Sequence, residues 1–285
     1  MTKRTGEILL LSVIFARGTS FIFNKITLRT MEPLNVIAIR FLIAAVILLI
    51  LFGKKFKDTN RETIVNGIII GIGWFALIAF EMFGLRTVDT AVASLLENTA
   101  IVMIPLLNAL FLRKLPDGKT FLCILIAFIG VVLLGWTDAG FGFGIGEFLM
   151  IMAALSYSLS IIYTDRKSKD NDPIILGILQ VSTIGVLGLI GSFIVESPRL
   201  PETSSEWGCI LVLAILCSAF GYAFQPLAQK PLTPERTALF FSLQPLYCAI
   251  LGIVVLHEHL NTYGIIGAVL ILAGLFIQSN KKTKD

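Results

Sequence analysis

The amino-acid sequence predicts an all-α membrane protein with ten transmembrane helices in two inverted five-helix repeats. Composition is the first observation: 56% of the 285 residues are hydrophobic, only 15% are charged, and the mean hydropathy is +0.87. A soluble domain is about 45–50% apolar and about 25% charged. The excess of apolar residues therefore indicates a polytopic membrane protein and not a large soluble core.

The second observation is the number and length of the apolar stretches. A helix that crosses a bilayer needs about 20 mostly apolar residues. Ten stretches meet this condition, and the short connections between them leave no place for a soluble domain. The predicted spans are residues 7–29, 33–52, 62–85, 89–112, 118–137, 144–164, 173–195, 206–229, 235–256 and 260–279. The first span shows no cleavage pattern, so it is expected to be a helix and not a signal peptide.

The distribution of basic residues predicts the orientation. With both termini on one side, 17 of the 23 Lys and Arg residues lie in connections and tails of that side, four lie on the other side, and two lie inside spans. Such an excess marks the cytoplasmic side of membrane proteins. We therefore expect a multi-pass protein of the cell membrane with both termini in the cytoplasm.

An internal repeat is the third observation. Residues of the same kind recur 140 positions apart, as in Gly6 and Gly146, Pro33 and Pro173, and Ser20 and Ser160. Five spans per half is an odd number, so the second half starts on the opposite side of the membrane. We therefore predict repeats at residues 1–140 and 141–285, related by an axis in the membrane plane. This arrangement is typical of secondary transporters, whose substrate site lies near the midplane between the repeats.

Three segments resemble the drug/metabolite transporter superfamily of the EamA type. They are EPLNVIAIRFLIAAVILLI (32–50), SLQPLYCAILGIVVL (242–256) and VVLHEHLNTYGIIGAVLILAG (254–274), in which a glutamate follows an apolar run and glycines are spaced through the last helix. The resemblance covers essentially the whole chain, and it implies ten helices, inverted repeats and transport of small metabolites. This chain has Arg17-Gly18 where the family often carries a tryptophan–glycine pair, so no particular substrate carries over.

Polar side chains recur at helical spacing in six of the predicted spans. Arg17, Ser20 and Asn24 fall within about 60° on the first helix. Polar stripes are costly against lipid, so these helices should line the bundle interior or a watery cavity. Helices 5 and 10 are almost purely apolar with spaced glycines, which indicates packing or a homodimer contact. The candidate substrate-binding residues are Arg17, Ser20, Asn24, Arg40, Trp74, Glu81, Glu97, Asn98, Tyr157, Ser160, Tyr222, Gln225 and Gln244.

Four of these candidates, Arg17, Arg40, Glu81 and Glu97, are the charges furthest inside their spans. A charge at a helix centre costs roughly 2.5–3.5 kcal/mol on insertion scales, so each must be compensated. One interpretation is structural ion pairs, for example between Arg17 and Glu97. The other is contact with substrate, because an arginine fork binds two oxygens of a carboxylate or phosphate and Glu97 can meet an ammonium group.

The predicted function is secondary-active transport, as an exporter, of a small polar metabolite by alternating access. An amino acid or related zwitterion fits a cavity that holds both a cation and an anion at middle depth. Proton coupling through Glu97 or Glu81 stays possible. Two alternatives stay open: an exporter of cationic drugs that uses Glu97 or Glu81 as counter-charge, and a membrane scaffold or embedded enzyme without transport.

Nothing in the sequence predicts catalysis, a cofactor or a nucleic-acid partner. The cysteines, at positions 123, 209, 217 and 248, lie inside apolar runs and form no CxxC pair. They are expected to be small buried hydrophobic residues and not a disulfide or metal set. The glycine run AGFGFGIGE (139–147) lacks the spacing of a dinucleotide fingerprint, and we interpret it as the linker between the repeats.

Overall fold

The computed structural model describes residues 2–100, 102–104, 106–107, 118–134, 136–137, 140–141, 143–232, 237, 240–241, 243–258 and 261–279. Within these residues the chain forms six helices that are long and apolar enough to cross a membrane and four shorter apolar ones. The prediction of an all-α membrane fold with ten helices is confirmed. Parts of four predicted spans lie outside the described residues: 101, 105 and 108–112; 135; 235–236, 238–239 and 242; and 260.

The helices are named α1 to α10 in chain order. They are α1 (Lys3–Thr27), α2 (Pro33–Phe52), α3 (Arg61–Gly84), α4 (Thr90–Asn98, continued by described helical residues to Ile104), α5 (Gly118–Leu134), α6 (Ile145–Asp170), α7 (Pro173–Val195), α8 (Ser204–Gln229), α9 (Gln244–Leu256) and α10 (Thr262–Ser279). A 3₁₀ turn (Gly53–Asp58) follows α2, and Trp136–Thr137 pairs antiparallel with Gly140–Phe141.

Local sequence signals explain where the helices begin. The hydroxyl of Thr2 accepts a hydrogen bond from the backbone N–H of Thr5, and the side chain of Asn60 accepts one from that of Thr63. Prolines stand at the first positions of α2 and α7, where the missing N–H would have no partner in the helix. These signals fall within a few residues of the predicted span starts, except that α1 begins four residues earlier.

Helix α8 departs from regular geometry in its middle. Residues Ser204–Val212 are α-helical, Leu213–Tyr222 form a π-helix, and Gln225–Gln229 form a short α-helix with Pro226 near its start. A π-helix is rare and often occurs at functional sites. Here it ends at Tyr222, so it determines where that side chain and the following Gln225 enter the protein core.

The helix contacts show how the two halves are oriented. Along the α2–α7 contact, Gly185 lies against Leu42 and Gly191 lies against Leu34, so these two helices run antiparallel. They are the helices that the 140-residue offset relates. Gly130 of α5 lies against Ile271 of α10, so the two helices pack against each other within one chain. Helices 2 and 7 would run parallel if the halves were related without inversion.

Close approach also explains the paired glycines of α3. A Cβ atom at Gly71 would stand 2.5 Å from the Cβ atom of Thr183 in α7, and Gly67 lies equally close to Leu179. These small residues therefore let α3 pack closely against α7. Gly130 of α5 and Gly274 of α10 are likewise used inside the chain, so a homodimer would have to use the exposed faces of these helices, which carry Phe128 and Val269. That dimer stays a prediction.

Candidate functional site

Polar side chains from both halves of the chain converge in the protein core. Arg17, Arg40, Glu81, Glu97 and Asn98 are at most 2% exposed. The same is true of Asn24, Trp74, Tyr157, Ser158, Gln180, Ser218, Tyr222, Gln225, Gln229 and Gln244. Burying a charge or an amide is unfavourable unless other polar groups compensate it. We call the set Arg17, Arg40, Glu81, Glu97, Tyr157, Tyr222 and Gln225, with Asn24 and Trp74, the central polar cluster.

Aromatic rings surround the guanidinium of Arg17. Its Cζ atom lies 4.8 Å from the ring centroid of Trp74, 5.1 Å from that of Tyr157 and 4.7 Å from that of Tyr222. Phe241 is slightly further away, at 5.8 Å. A cation over such ring faces is stabilised by about 2 kcal/mol or more when it is desolvated. The cage therefore compensates part of the cost of burying Arg17.

Hydrogen bonds fix one side of the Arg17 fork. Its Nη1 atom donates to the Tyr157 hydroxyl over 3.2 Å and to the Oε1 atom of Gln225 over 3.0 Å. Its Nε atom has no hydrogen-bond partner among the described residues. Gly221 makes room for the aliphatic stem, because a Cβ atom there would be 3.1 Å from the Cγ atom of Arg17.

The expected ion pair between Arg17 and Glu97 is not formed. The ion pairs of the described residues do not include either side chain. The reason is that the aromatic cage and the two neutral acceptors occupy the guanidinium instead. Glu97 remains close enough for electrostatic attraction to Arg17, so the two charges share the core without direct contact.

Asn24 connects the second arginine to a carboxylate. The Nη1 atom of Arg40 donates to the Oδ1 atom of Asn24 over 2.6 Å, and the Nδ2 atom of Asn24 donates to the Oε1 atom of Glu81 over 3.1 Å. The amide of Asn24 thus bridges Arg40 and Glu81 by hydrogen bonds. The Nε and Nη2 atoms of Arg40 have no hydrogen-bond partner among the described residues.

The carboxyl groups of Glu81 and Glu97 lie close enough in the core to repel each other when both are ionised. A hydrogen bond between two carboxyl groups requires a proton on one of them. No described donor reaches either oxygen of Glu97. In contrast to Glu81, which accepts from Asn24, Glu97 therefore has its hydrogen-bonding capacity available for a proton, for water or for a ligand.

Buried amides extend the set of unpartnered atoms. Both amide atoms of Gln180, Gln229 and Gln244 lack hydrogen-bond partners among the described residues, as do the Nε2 atom of Gln225 and the Oδ1 atom of Asn98. More than 90% of buried polar groups in native structures have a partner, which can be ordered water. This concentration of free donors and acceptors is therefore suited to bound water or a polar ligand.

The hydroxyls of two predicted site residues, Ser20 and Ser160, are engaged away from the cluster. The hydroxyl of Ser20 donates to the Arg17 carbonyl over 2.6 Å, and that of Ser160 donates to the Ser156 carbonyl over 2.7 Å. Both bonds lie within their own helices. Ser160 also lies against Gly73, in the contact between α6 and α3. The side chain of Ser160 is thus held by its own helix and by α3, and not by Arg17.

Sequence reasoning missed two contributors to this core. Phe241 supplies one ring of the cage, but an aromatic residue in an apolar span carries no signal that separates it from ordinary packing. Gln180 occupies the position 140 residues after Arg40 and is fully buried. That offset could have identified it, because equivalent positions of a repeat should both face the interior.

Carboxylates at the opposite end from the termini cap helices of the other half. The two carboxylate oxygens of Glu258 accept hydrogen bonds from the N–H groups of Thr90 and Ala91, over 2.8 and 3.2 Å. Those of Glu196 accept from Leu34 and Asn35, both over 2.8 Å. A carboxylate at a helix N-terminus satisfies free N–H groups and complements the helix dipole. These caps hold the halves together at this end.

Asp89 lies beside the Glu258 cap at the start of α4. Its side chain makes no capping hydrogen bond of its own. Burial raises the pKa of the Asp89 carboxyl, the neighbouring carboxylate of Glu258 adds to the rise, and the ammonium of Lys25 opposes it. Lys25 itself donates to the carbonyl of Leu85 over 2.9 Å, so it ties α1 to the end of α3.

The fold and the buried cluster define a class of protein: a multi-pass α-helical membrane protein with a polar, charged centre between two halves. The comparisons with known proteins agree. The model of the EamA-like transporter family matches residues 4–136 and again residues 144–279. The chain therefore belongs to the EamA-like transporter family, and it is a membrane transporter.

Relatives and solved structures support the same assignment. An uncharacterized transporter of Archaeoglobus fulgidus is 27% identical over 270 residues, which cover 92% of this chain and 82% of that protein. The uncharacterized transporter YyaM of Bacillus subtilis is also 27% identical, with 95% and 92% covered. A crystal structure with 19% identity matches with a TM-score of 0.66 over 96% of each chain, and at this identity it shows the fold alone.

Proposed function

We propose that this transporter exports a small polar metabolite, an amino acid or a related zwitterion, by secondary-active alternating access. One observation carries the proposal: Arg17 and Glu97 are buried in the same core, do not pair with each other, and each keep polar atoms without a partner. A zwitterion carries a carboxylate and an ammonium group a few bonds apart. It would complement both residues at once.

The proposal gives each of these groups a role. The free Nε atom of Arg17, beside the Nη atoms, would bind the substrate carboxylate, since a guanidinium fork matches two carboxylate oxygens. The free oxygens of Glu97 would accept from the ammonium group. Glu81 would serve as a second anion next to Glu97, and a proton held between these two carboxyls would provide coupling to a proton gradient. Arg40, held through Asn24, would stabilise Glu81 as an anion.

The inverted repeat supplies the proposed movement. We take the repeats to be residues 1–140 and 141–285, with the central polar cluster between them. In transporters of this design one repeat rocks against the other around a fixed site. The caps of Glu258 and Glu196 join helices of the two halves at the end opposite the termini. By the distribution of basic residues that end is the outside of the cell membrane, so the caps would open for release.

An exporter of cationic compounds is the second candidate, because aromatic cages bind cations and two carboxyls lie nearby. In this structure the guanidinium of Arg17 already occupies the cage. A cationic substrate would have to displace it against its own positive charge. A scaffold or embedded enzyme is a weaker alternative, because the related proteins named above are called transporters.

Reconstitution of the purified protein into vesicles tests the proposal. We expect uptake of radiolabelled zwitterionic amino acids, none of a cationic dye, and loss of uptake in Arg17→Ala and in Glu97→Ala. The matched control is Glu32→Gln, which removes an exposed ion pair with Arg86 and should leave uptake unchanged. If the charge-swapped double variant Arg17→Glu/Glu97→Arg regains full uptake with unchanged preference, the two residues are structural and the site assignment is wrong.

A further inference from the structure

A groove on the membrane-facing side lies between α3 and α6, apart from the central polar cluster. It has a volume of about 340 Å³, and its lining includes Ile69 and Gly73 from α3 and Leu159 and Tyr163 from α6. The hydroxyl of Tyr163 is satisfied by Asn66, to which it donates over 2.9 Å. The floor of the groove is thus apolar, with the polar atom of its tyrosine already bonded.

The groove is open to the bilayer. Ile69 is 43% exposed and Leu159 is 42% exposed, and both lie in helices long and apolar enough to cross a membrane. Side chains exposed on such helices face lipid. Gly73 and Ser160 also line the groove, and the small glycine lets the two helices come close together there. A hydrocarbon chain lying in this groove would remain continuous with the surrounding lipid.

One end of the groove carries a cation without a carboxylate partner. Arg166 lines the groove and is exposed. Its neighbours are engaged: Lys167 pairs with Glu62 over 3.5 Å and Lys169 pairs with Asp165 over 3.1 Å. Among the ion pairs of the described residues none includes Arg166. The carboxylates of Glu62 and Asp165 are therefore paired with lysines. The guanidinium of Arg166, at the mouth of the groove, is free to bind an anion.

We propose that this groove binds one anionic phospholipid, with an acyl chain between α3 and α6 and the phosphate on Arg166. Arg166 and Leu159 are seven residues apart along α6, which is a distance of about 10 Å. An acyl chain would lie against the protein over this length. An arginine binds phosphate oxygens through its planar fork. Basic pockets between transmembrane helices are known to hold anionic headgroups. This site is independent of the cargo.

The charge and the shape together favour a lipid over another protein. A second copy of this chain would have to place an acidic group at Arg166 and an apolar ridge in the groove at once. An anionic phospholipid carries a negatively charged headgroup and an apolar acyl chain in one molecule, and it is already present in the bilayer. The end of α6 that carries Arg166 also belongs to the face with most of the basic residues, where anionic headgroups are attracted.

Native mass spectrometry of the full-length protein tests the site after extraction from vesicles of equal parts phosphatidylglycerol and phosphatidylcholine. We expect the wild type to retain phosphatidylglycerol preferentially. Arg166→Gln should reduce that preference about fivefold, the effect of one basic side chain near the surface. The control Lys169→Gln, whose ammonium is paired and does not line the groove, should behave as the wild type. Leu159→Trp should fill the groove and reduce retention of both lipids.

The outcomes separate the alternatives. Equal retention by Arg166→Gln and Lys169→Gln would contradict the headgroup site, and unchanged retention in Leu159→Trp would contradict the chain site. If Arg166→Gln instead changes the ratio of monomer to dimer, the groove is an interface between copies and the lipid proposal is wrong. Size-exclusion chromatography checks that each variant is folded. Should Leu159→Trp fail this check, Ile69→Trp tests the same groove from α3.

Discussion

The hydroxyl of Tyr157 accepts a hydrogen bond of 3.2 Å from the guanidinium of Arg17, which stands 140 positions earlier in the chain. The same offset relates Gly6 to Gly146 and Pro33 to Pro173. Equivalent positions of two repeats touch each other only close to the axis that relates them. Under the proposed repeat, the Arg17–Tyr157 contact therefore marks the centre of the protein.

Arg17 and Tyr157 differ chemically, so the two proposed repeats are not equivalent at that centre. One repeat supplies a cation and the other supplies a ring and a hydroxyl, so the site can hold a charge that two identical groups could not. Gln225 and the rings of Trp74 and Tyr222 complete the arrangement around the guanidinium. A site of this kind can distinguish the two ends of an asymmetric substrate.

The planar fork of Arg17 is therefore expected to matter as much as its charge. Arg17→Lys keeps the charge but loses the flat, delocalised group that stacks on the rings and donates in two directions. A lost hydrogen bond to a charged group costs about 1.5–3 kcal/mol. We expect uptake in vesicles to fall by about tenfold or more, with the amount of inserted protein unchanged.

Arg86→Lys is the matched control for this prediction. Arg86 pairs with Glu32 at the surface over 2.9 Å, and a lysine there should support wild-type uptake. Wild-type uptake by Arg17→Lys would show that only the positive charge is needed, and the proposed two-oxygen contact with a carboxylate would then be wrong.

Hydropathy and helical phase predicted much of this fold because the bilayer restricts the possibilities. A spanning segment must satisfy its own backbone hydrogen bonds, so an apolar run of about 20 residues has one structure available to it. The predicted bounds of α2 and α7 agree with the structure at both ends. Phase alone also identified Arg17 and Asn24 as core residues, because a polar side chain facing lipid would be unfavourable.

Partner choice could not be predicted in the same way. Phase places a side chain on a face, but it does not say which acceptor on another helix is nearest. Thus Arg17 bonds Tyr157 and Gln225 instead of Glu97, and Arg40 reaches Glu81 only through Asn24. The π-helix of α8 also leaves no sequence signal, because its apolar residues are compatible with both helix types. It changes the phase of Tyr222 relative to a regular helix.

Gly221 offers a second test of the cage, one that leaves all the charges in place. A Cβ atom there would stand 3.1 Å from the Cγ atom of Arg17, closer than ordinary van der Waals contact. Gly221→Ala should displace the stem of Arg17 and lengthen its hydrogen bonds. Because placement within about 1 Å is important for a charged site, we expect a several-fold loss of uptake with little loss of folded protein.

Gly208→Ala is the control in the same helix, since a Cβ atom at Gly208 would meet no atom within 4 Å. Uptake by Gly208→Ala should equal that of the wild type. Equal uptake by both alanine variants would mean that Arg17 tolerates displacement, which would contradict a role as a precisely held substrate contact.

The Glu258 cap is expected to stabilise the contact with the start of α4, at the end opposite the termini. A left-handed turn at His257, with φ of 55°, brings the Glu258 carboxylate to the N-terminus of α4. Replacing a capping residue by alanine costs about 1 kcal/mol. Glu258→Ala should therefore lower the midpoint of thermal unfolding in detergent by a few degrees. Glu258→Gln, which keeps one acceptor, should give an intermediate value.

The control for the cap is Glu202→Ala, because the side chain of Glu202 is 74% exposed and makes only a 3.8 Å contact with Arg199. It should unfold at the wild-type temperature. A second measurement is accessibility: a cysteine placed at Thr90 should react faster with a membrane-impermeant reagent when Glu258 is alanine. If stability falls and that rate does not rise, the cap supports the fold without acting as a gate.

The proposed orientation makes a prediction about residues 200–205, which span the end of the connection from α7 and the first residues of α8. A single cysteine at Ser205, in the first turn of α8, should react with a membrane-impermeant maleimide added to intact cells, because this end of α8 lies on the side opposite the termini. A cysteine at Lys57, in the basic connection after α2, should react only after the cells are opened. The four native cysteines are buried, so background labelling should be low. Labelling of Lys57→Cys in intact cells, with Ser205→Cys protected, would show that both termini face outward and that the proposed direction of export is reversed.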